Sequence, residues 1–195
     1  RMDYLVRDAH HTGVPYGTID HERLVRELRL LDGDLVLDEG NVQSAESLLL
    51  ARGLMNPTVY SHHVARIAKS MLRRAAEKLL ATGATIPERL RRMDDHALHV
   101  ALRECNATAD YARRLDTRSL YKRAVWAEMD AVPDDLLIAD HETIRDFERD
   151  IADSANVDPE SVILEIPDRP AMEESTTRVV VNGEPRELGQ QSTLV

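Results

Sequence analysis

The chain has 195 residues and a single cysteine, long enough to bury a sizeable core without a disulfide framework or a structural zinc site. Its 35 acidic residues against 25 basic ones give a net charge of −10, and such a surface repels the phosphate backbone of nucleic acid, so nucleic-acid binding is not expected. No apolar run approaches the ~20 residues needed to span a bilayer and the opening does not read as a signal peptide, which points to a reducing cytoplasm. Of the basic residues only Lys69, Lys78 and Lys122 are lysines, a bias that fits adaptation to high salt and equally an arginine-rich coding bias.

The opening string Arg1-Met2-Asp3-Tyr4-Leu5-Val6-Arg7-Asp8 reads as a helix, followed by a loop with Gly13 and Gly17. Steps of three and four residues would put Arg1, Tyr4 and Asp8 on one face. Leu24, Val25, Leu28 and Leu31 then recur at helical spacing behind a capping Asp20, and Asp32-Gly33-Asp34 ends that run. Leu35 to Leu37 reads as a short strand or extended turn. Helical order resumes from Val42 through Ala45, Leu48 and Leu49, and Asn56-Pro57 interrupts it. A long helix is expected over 57–82 with Gly83 as its C-cap, and a further one behind Asp94 with Ala97, Leu98, Ala101, Leu102 and Cys105 facing inward.

Past about residue 115 the period changes. Leu120 to Ala127 alternates like a strand, a helix carries Ile144, Phe147 and Ile151, and Val162 to Ile166 reads as another strand, making a β-α-β unit. Arg178 to Val181 runs into Asn182-Gly183, a two-residue hairpin signal, and continues over 184–188. The expected fold is mainly α over 1–115, followed by a small α+β subdomain over 116–195. Residues 167–177 and 189–195 are expected to be mobile.

Three groups of residues carry chemistry. Arg1, Tyr4 and Asp8 together suit a sugar phosphate, with a cation for phosphate oxygens, a ring for the sugar and a carboxylate for a hydroxyl; the plain alternative is a surface ion pair beside a core tyrosine. Arg52, Asn56 and Tyr60 stand at i, i+4, i+8 on a second helix. Arg118 and Lys122, on one face of a strand, could hold an anion, or could be solvated charges. His10-His11 and His62-His63 are adjacent pairs whose rings point about 100° apart on a helix, so packing or hydrogen-bonding roles are expected of them. GxxxxGK[ST], GxSxG and HExxH patterns are absent.

The opening string and the glycine loop after it resemble a segment of HD-superfamily metal-dependent phosphohydrolases, in particular the deoxynucleoside-triphosphate triphosphohydrolases and their archaeal and bacterial relatives. That resemblance implies a partial HD-type helical domain over 1–115, with a divalent metal ion held in the full-length protein by a His, a His-Asp pair and an Asp that would all precede Arg1. It implies that Arg1 meets nucleotide phosphates, that Tyr4 packs on the sugar and that Asp8 meets the sugar 3′-hydroxyl. Arg52 would clamp phosphate and Tyr60 would exclude a 2′-hydroxyl, while Asn56 stands where relatives often have His. The string Arg118-Ser119-Leu120-Tyr121-Lys122 is similar to one that contacts a regulatory nucleotide at a subunit interface in allosteric members. The implied activity is hydrolysis of a dNTP to deoxynucleoside and triphosphate by a homo-oligomer, with the 195-residue chain alone inactive. The rival reading is a non-catalytic nucleotide-binding regulatory or assembly module built on Arg118 and Lys122.

Overall fold

A computed structural model describes residues 2–166, 178–181 and 184–188. Arg1, the Asn182-Gly183 turn and the segments 167–177 and 189–195 lie outside the described residues, and with them the expectations placed there. The fold is mainly α with one small mixed sheet. It divides into two compact units, residues 1–62 with 169–195 and residues 63–168, and not at the boundary near 115 expected from the change of period. No helix among the described residues is long and apolar enough to cross a membrane.

The first unit opens with helix α1 (Met2–Thr12), a short turn at Pro15–Gly17 and helix α2 (His21–Arg26), which Asp20 caps by accepting from the Arg23 amide at 3.0 Å. The helix expected to run on to Leu31 stops at Arg26. Leu28–Leu31 is instead strand β1, paired antiparallel with β2 (Asp34–Asp38) in the register Leu28↔Leu37, Leu30↔Leu35. Asp32 (φ 52°) and Gly33 (φ 90°) both adopt the left-handed backbone that a two-residue hairpin requires, so turn chemistry overrides helical spacing here. Strand β3 (Arg178–Val181) lies parallel to β2, with Leu37 opposite Val179, and β4 (Glu184–Glu187) closes the sheet antiparallel to β3. Leu24, Leu37, Val42, Ala45 and Leu49 thereby share a core with Val179, Val181 and Leu188 from the far end of the chain.

Helix α3 (Val42–Met55) serves a second cluster through Ala51 and Met55, which pack on Leu5 and Ala9 of α1. The turn at Pro15–Gly17 seats against α1 at Gly17. A Cβ on Gly17 would stand 2.5 Å from the Ala9 Cβ and 2.6 Å from the Leu5 carbonyl oxygen, so only glycine permits this approach.

The second unit is built on α4 (His63–Ala81), whose buried Met71, Ala75 and Leu79 meet Leu102 of α6 (Asp95–Glu104) and Tyr111 and Ala112 of α7 (Ala109–Asp116). The expected caps form: Gly83 is left-handed (φ 71°) just past α4, and the Asp94 carboxylate accepts from the Ala97 amide at 2.7 Å. Short helices α5 (Pro87–Leu90) and α8 (Asp134–Leu137) precede α9 (His141–Ala155), which starts at Asp140 and ends at a left-handed Asn156. Residues 119–127 and 162–166, expected as strands, are irregular. Their amides are taken up by side chains instead of a ladder: Tyr121 N donates to Met71 Sδ at 3.3 Å, and Leu164 N to Glu148 Oε1 at 2.8 Å. The β-α-β unit therefore does not form.

Within this unit Arg74 and Glu148 make a buried ion pair, with Arg74 Nη2 donating to Glu148 Oε2 at 2.6 Å and to Oε1 at 2.8 Å. Arg145 donates to the same carboxylate at 3.0 Å. The Tyr111 and Tyr121 hydroxyls both donate to the Glu160 carbonyl at 3.1 Å, tying the 160s to the helices.

Candidate functional site

Alternating steps of three and four residues place Leu5 and Ala9 of α1 in the core and leave Tyr4 and Asp8 half-buried beside them. On α3, Ala51 and Met55 are buried in the same cluster while Arg52 and Asn56 are half-buried next to them. The two apolar stripes pack against one another, and the polar neighbours flank that contact.

Tyr60 links the two helices. Its hydroxyl donates to Asp8 Oδ2 at 3.0 Å, and its ring meets the Tyr4 ring edge-on, with centroids 6.0 Å apart and planes at 77°. An edge-to-face pair of this kind is favoured by the ring quadrupoles. Burial, then the hydrogen bond to Asp8 and the Asp8 charge, push the Tyr60 phenol up to about 12. The phenol thus stays a donor at neutral pH. A carboxylate has acceptor sites beyond the one this bond uses, so Asp8 can take a further hydroxyl donor while Tyr60 holds it in place.

The break at Asn56-Pro57 takes the form of a π-helical turn, Asn56–Tyr60. The Ser61 amide donates to the Asn56 carbonyl at 2.7 Å, and the Ser61 hydroxyl donates to Asn56 Oδ1 at 3.0 Å. The sequence pattern marks the Asn56-Pro57 step as an interruption followed by a helix from 57, and it carries no signal for the part that Ser61 plays in the turn. The long helix starts at His63 instead of near 57 for the same reason.

The structure thus brings together Tyr4, Asp8 and Tyr60 and places Arg52 and Asn56 on the adjoining helical turns, whereas Arg1 lies outside the described residues. Arg118 and Lys122 belong to the other unit. Both are exposed, Arg118 has a left-handed backbone (φ 55°) just past α7, and the strand that would have put them on one face is missing. His10 and His11 are exposed with rings 5.3 Å apart at 73°. Among the described residues no group of three or more His, Cys, Asp or Glu side chains could hold a metal ion. The described donor set does not fit the divalent ion that the resemblance implied, and no chemical step is derived through one.

The chain belongs to the HD-associated region family, whose pattern matches residues 19–195. Among curated proteins it is 40% identical over 131 residues to Uncharacterized protein MJ1154 of Methanocaldococcus jannaschii, covering 64% of this chain and 28% of that protein. It is 42% identical over 72 residues to Uncharacterized protein YwfO of Bacillus subtilis, covering 37% of this chain and 17% of that one. The chain therefore matches less than a third of the length of these curated relatives. Two solved structures share its fold over 100% of its length: a phosphohydrolase of Bacteroides thetaiotaomicron (TM-score 0.62, 19% identity, 56% of that chain) and a hypothetical protein from Aquifex aeolicus (TM-score 0.64, 23% identity, 49% of that chain).

Proposed function

We propose that this chain supplies part of the nucleotide pocket of an HD-type phosphohydrolase, and that the whole protein hydrolyses a dNTP to deoxynucleoside and triphosphate. The observation that carries the reading is the hydrogen bond from Tyr60 to Asp8, which joins residues 52 positions apart and sets the Tyr4 ring beside them. A carboxylate steadied by a phenol, flanked by a second ring, suits a sugar: the carboxylate accepts a sugar hydroxyl and the rings cover its apolar face. Arg52, three residues before Met55 on the same helix, supplies positive charge for phosphate oxygens. The fold shared with a phosphohydrolase adds support. Every role assigned to these residues is one of binding and orientation; the divalent ion belongs to residues other than those described.

Kinetics of the intact protein test this. Tyr60→Ala and Arg52→Ala should each lower kcat/KM for a dNTP by roughly 10² or more, as for lost positioning and phosphate-clamping groups, with the circular dichroism spectrum unchanged. Near-normal turnover in both folded variants would refute the assignment. Saturable dNTP binding without any turnover by the wild-type protein would favour a nucleotide-binding regulatory module instead.

A further inference from the structure

An α-helix advances about 100° per residue, so Arg52 and Tyr60, eight residues apart, would drift about 80° from one another on an unbroken helix. The π turn changes this. A turn closed from residue i to i+5 spreads one revolution over more residues, so each advances by less and residues four apart lie more nearly in line. Asn56–Tyr60 is such a turn, and its closing bond is the 2.7 Å contact from the Ser61 amide to the Asn56 carbonyl.

Four side chains hold it. Pro57 has no amide to give to the Gly53 carbonyl, and its ring crowds that carbonyl in an α-helix, so the regular ladder cannot continue. Thr58 satisfies the next acceptor with its side chain, Oγ1 donating to the Leu54 carbonyl at 2.8 Å. The Ser61 hydroxyl bonds Asn56 Oδ1 at 3.0 Å across the same turn that the backbone bond closes. Immediately inside this clasp stands Tyr60, whose hydroxyl reaches Asp8 and whose ring reaches Tyr4, the groups on α1 that face it.

We propose that Asn56, Pro57 and Ser61 are positioning residues: the π turn they hold seats the Tyr60 hydroxyl on Asp8, and they act on the pocket through Tyr60 without touching substrate. The consequence for turnover rests on the pocket reading given above; the geometric claim does not. Asn56 here spends its side-chain acceptor inside the helix turn.

Tyrosinate absorbance reads the claim directly in the intact protein, without substrate, taking the difference from the same protein carrying Tyr60→Phe. Burial and the Asp8 carboxylate push the wild-type Tyr60 phenol up to about 12, so little tyrosinate is expected at about pH 11. Loosening the turn with Pro57→Ala and Ser61→Ala together should lower that midpoint by about one unit, raising Tyr60 tyrosinate at pH 11 about fivefold. Ser61→Ala alone should give part of the rise and Ser61→Thr, which keeps the hydroxyl, should return it to the wild-type level. If the double variant fails to fold, as circular dichroism would show, the Ser61 pair decides the matter by itself. No rise in any folded variant, or a rise in Ser61→Thr equal to that in Ser61→Ala, overturns the proposal. A titration that moves while dNTP turnover does not would leave the clasp standing and refute the pocket reading. An unmoved titration alongside a loss of turnover in Tyr60→Phe would do the reverse.

Discussion

Removing Glu148 should be among the most destabilising single changes in residues 63–168. Its carboxylate accepts from Arg74 Nη2 at 2.6 and 2.8 Å, from Arg145 Nη1 at 3.0 Å and from the Leu164 amide at 2.8 Å, with the Arg74 and Glu148 side chains only 5% and 3% exposed. In Glu148→Ala the Arg74 guanidinium keeps only the 3.6 Å contact to Glu77, and its Nη1 already has no hydrogen-bond partner among the described residues. An uncompensated buried charge of this kind costs about 3–5 kcal/mol. For a protein of this size that corresponds to a fall in Tm of about 6–20 °C by calorimetry. Replacing both partners, Arg74→Met with Glu148→Met, should recover most of the loss, because the stranded charge is removed with its partner. A Glu148→Ala protein melting within about 2 °C of wild type would refute the reasoning, since that is worth under about 1 kcal/mol. So would a double variant less stable than the single one.

Two further outcomes follow from the packing. Gly17→Ala must push the Pro15–Gly17 turn off α1, because the Leu5 backbone cannot give way as a flexible side chain could; a loss of about 1–3 kcal/mol in urea denaturation is expected, and an unchanged midpoint would contradict the close approach. Glu160 has its pKa held below the usual range: burial acts to raise it, but the Lys78 ammonium at 3.0 Å, the Tyr111 hydroxyl and Arg145 outweigh burial. A carboxylate with a depressed folded-state pKa stabilises above its unfolded pKa and loses that contribution as pH falls through the folded value. The Tm difference between wild type and Glu160→Gln should therefore be present at about pH 6 and shrink progressively as the pH falls below the ordinary carboxylate range. A difference independent of pH would show that the ionised form is not what matters.

Local signals told most about helices and least about strands. Asp94 and Gly83 mark helix ends through groups within a few residues, and both ends form as expected. Leu28 and Leu31 fit helical spacing equally well, yet the Asp32-Gly33 step beside them is a hairpin signal, and a pair of left-handed residues settles the competition for a strand. The alternation over 120–127 lost for a different reason. A strand needs a partner ladder, and the Tyr121 amide is already bound to a sulfur 50 residues away in α4, just as the Leu164 amide is bound to Glu148. The pairing of β3 with β2 was hidden because no local pattern specifies a parallel neighbour some 140 residues back, and it also explains why the compact units ignore a boundary at 115.

Spacing alone names residues at the junction of α1 and α3 but not the geometry that joins them. On an unbroken helix, i, i+4, i+8 spacing alone would leave Tyr60 about 80° from Arg52, too far round to share a rim. The Asn56-Pro57 step replaces that unbroken helix with a π turn over Asn56–Tyr60, in which each residue advances by less. The opening string was legible because Tyr4 and Asp8 need only helical periodicity to share a face, and α1 provides it. The bond that joins Asp8 to Tyr60 spans two helices and no periodicity encodes it. Its basis is the packing of Leu5 and Ala9 on Ala51 and Met55, with Gly17 allowing the following turn to sit against α1. Small residues at Ala9, Gly17 and Ala51 therefore shape the Tyr60–Asp8 junction as much as its polar groups do, by allowing the close packing in which a phenol can reach a carboxylate.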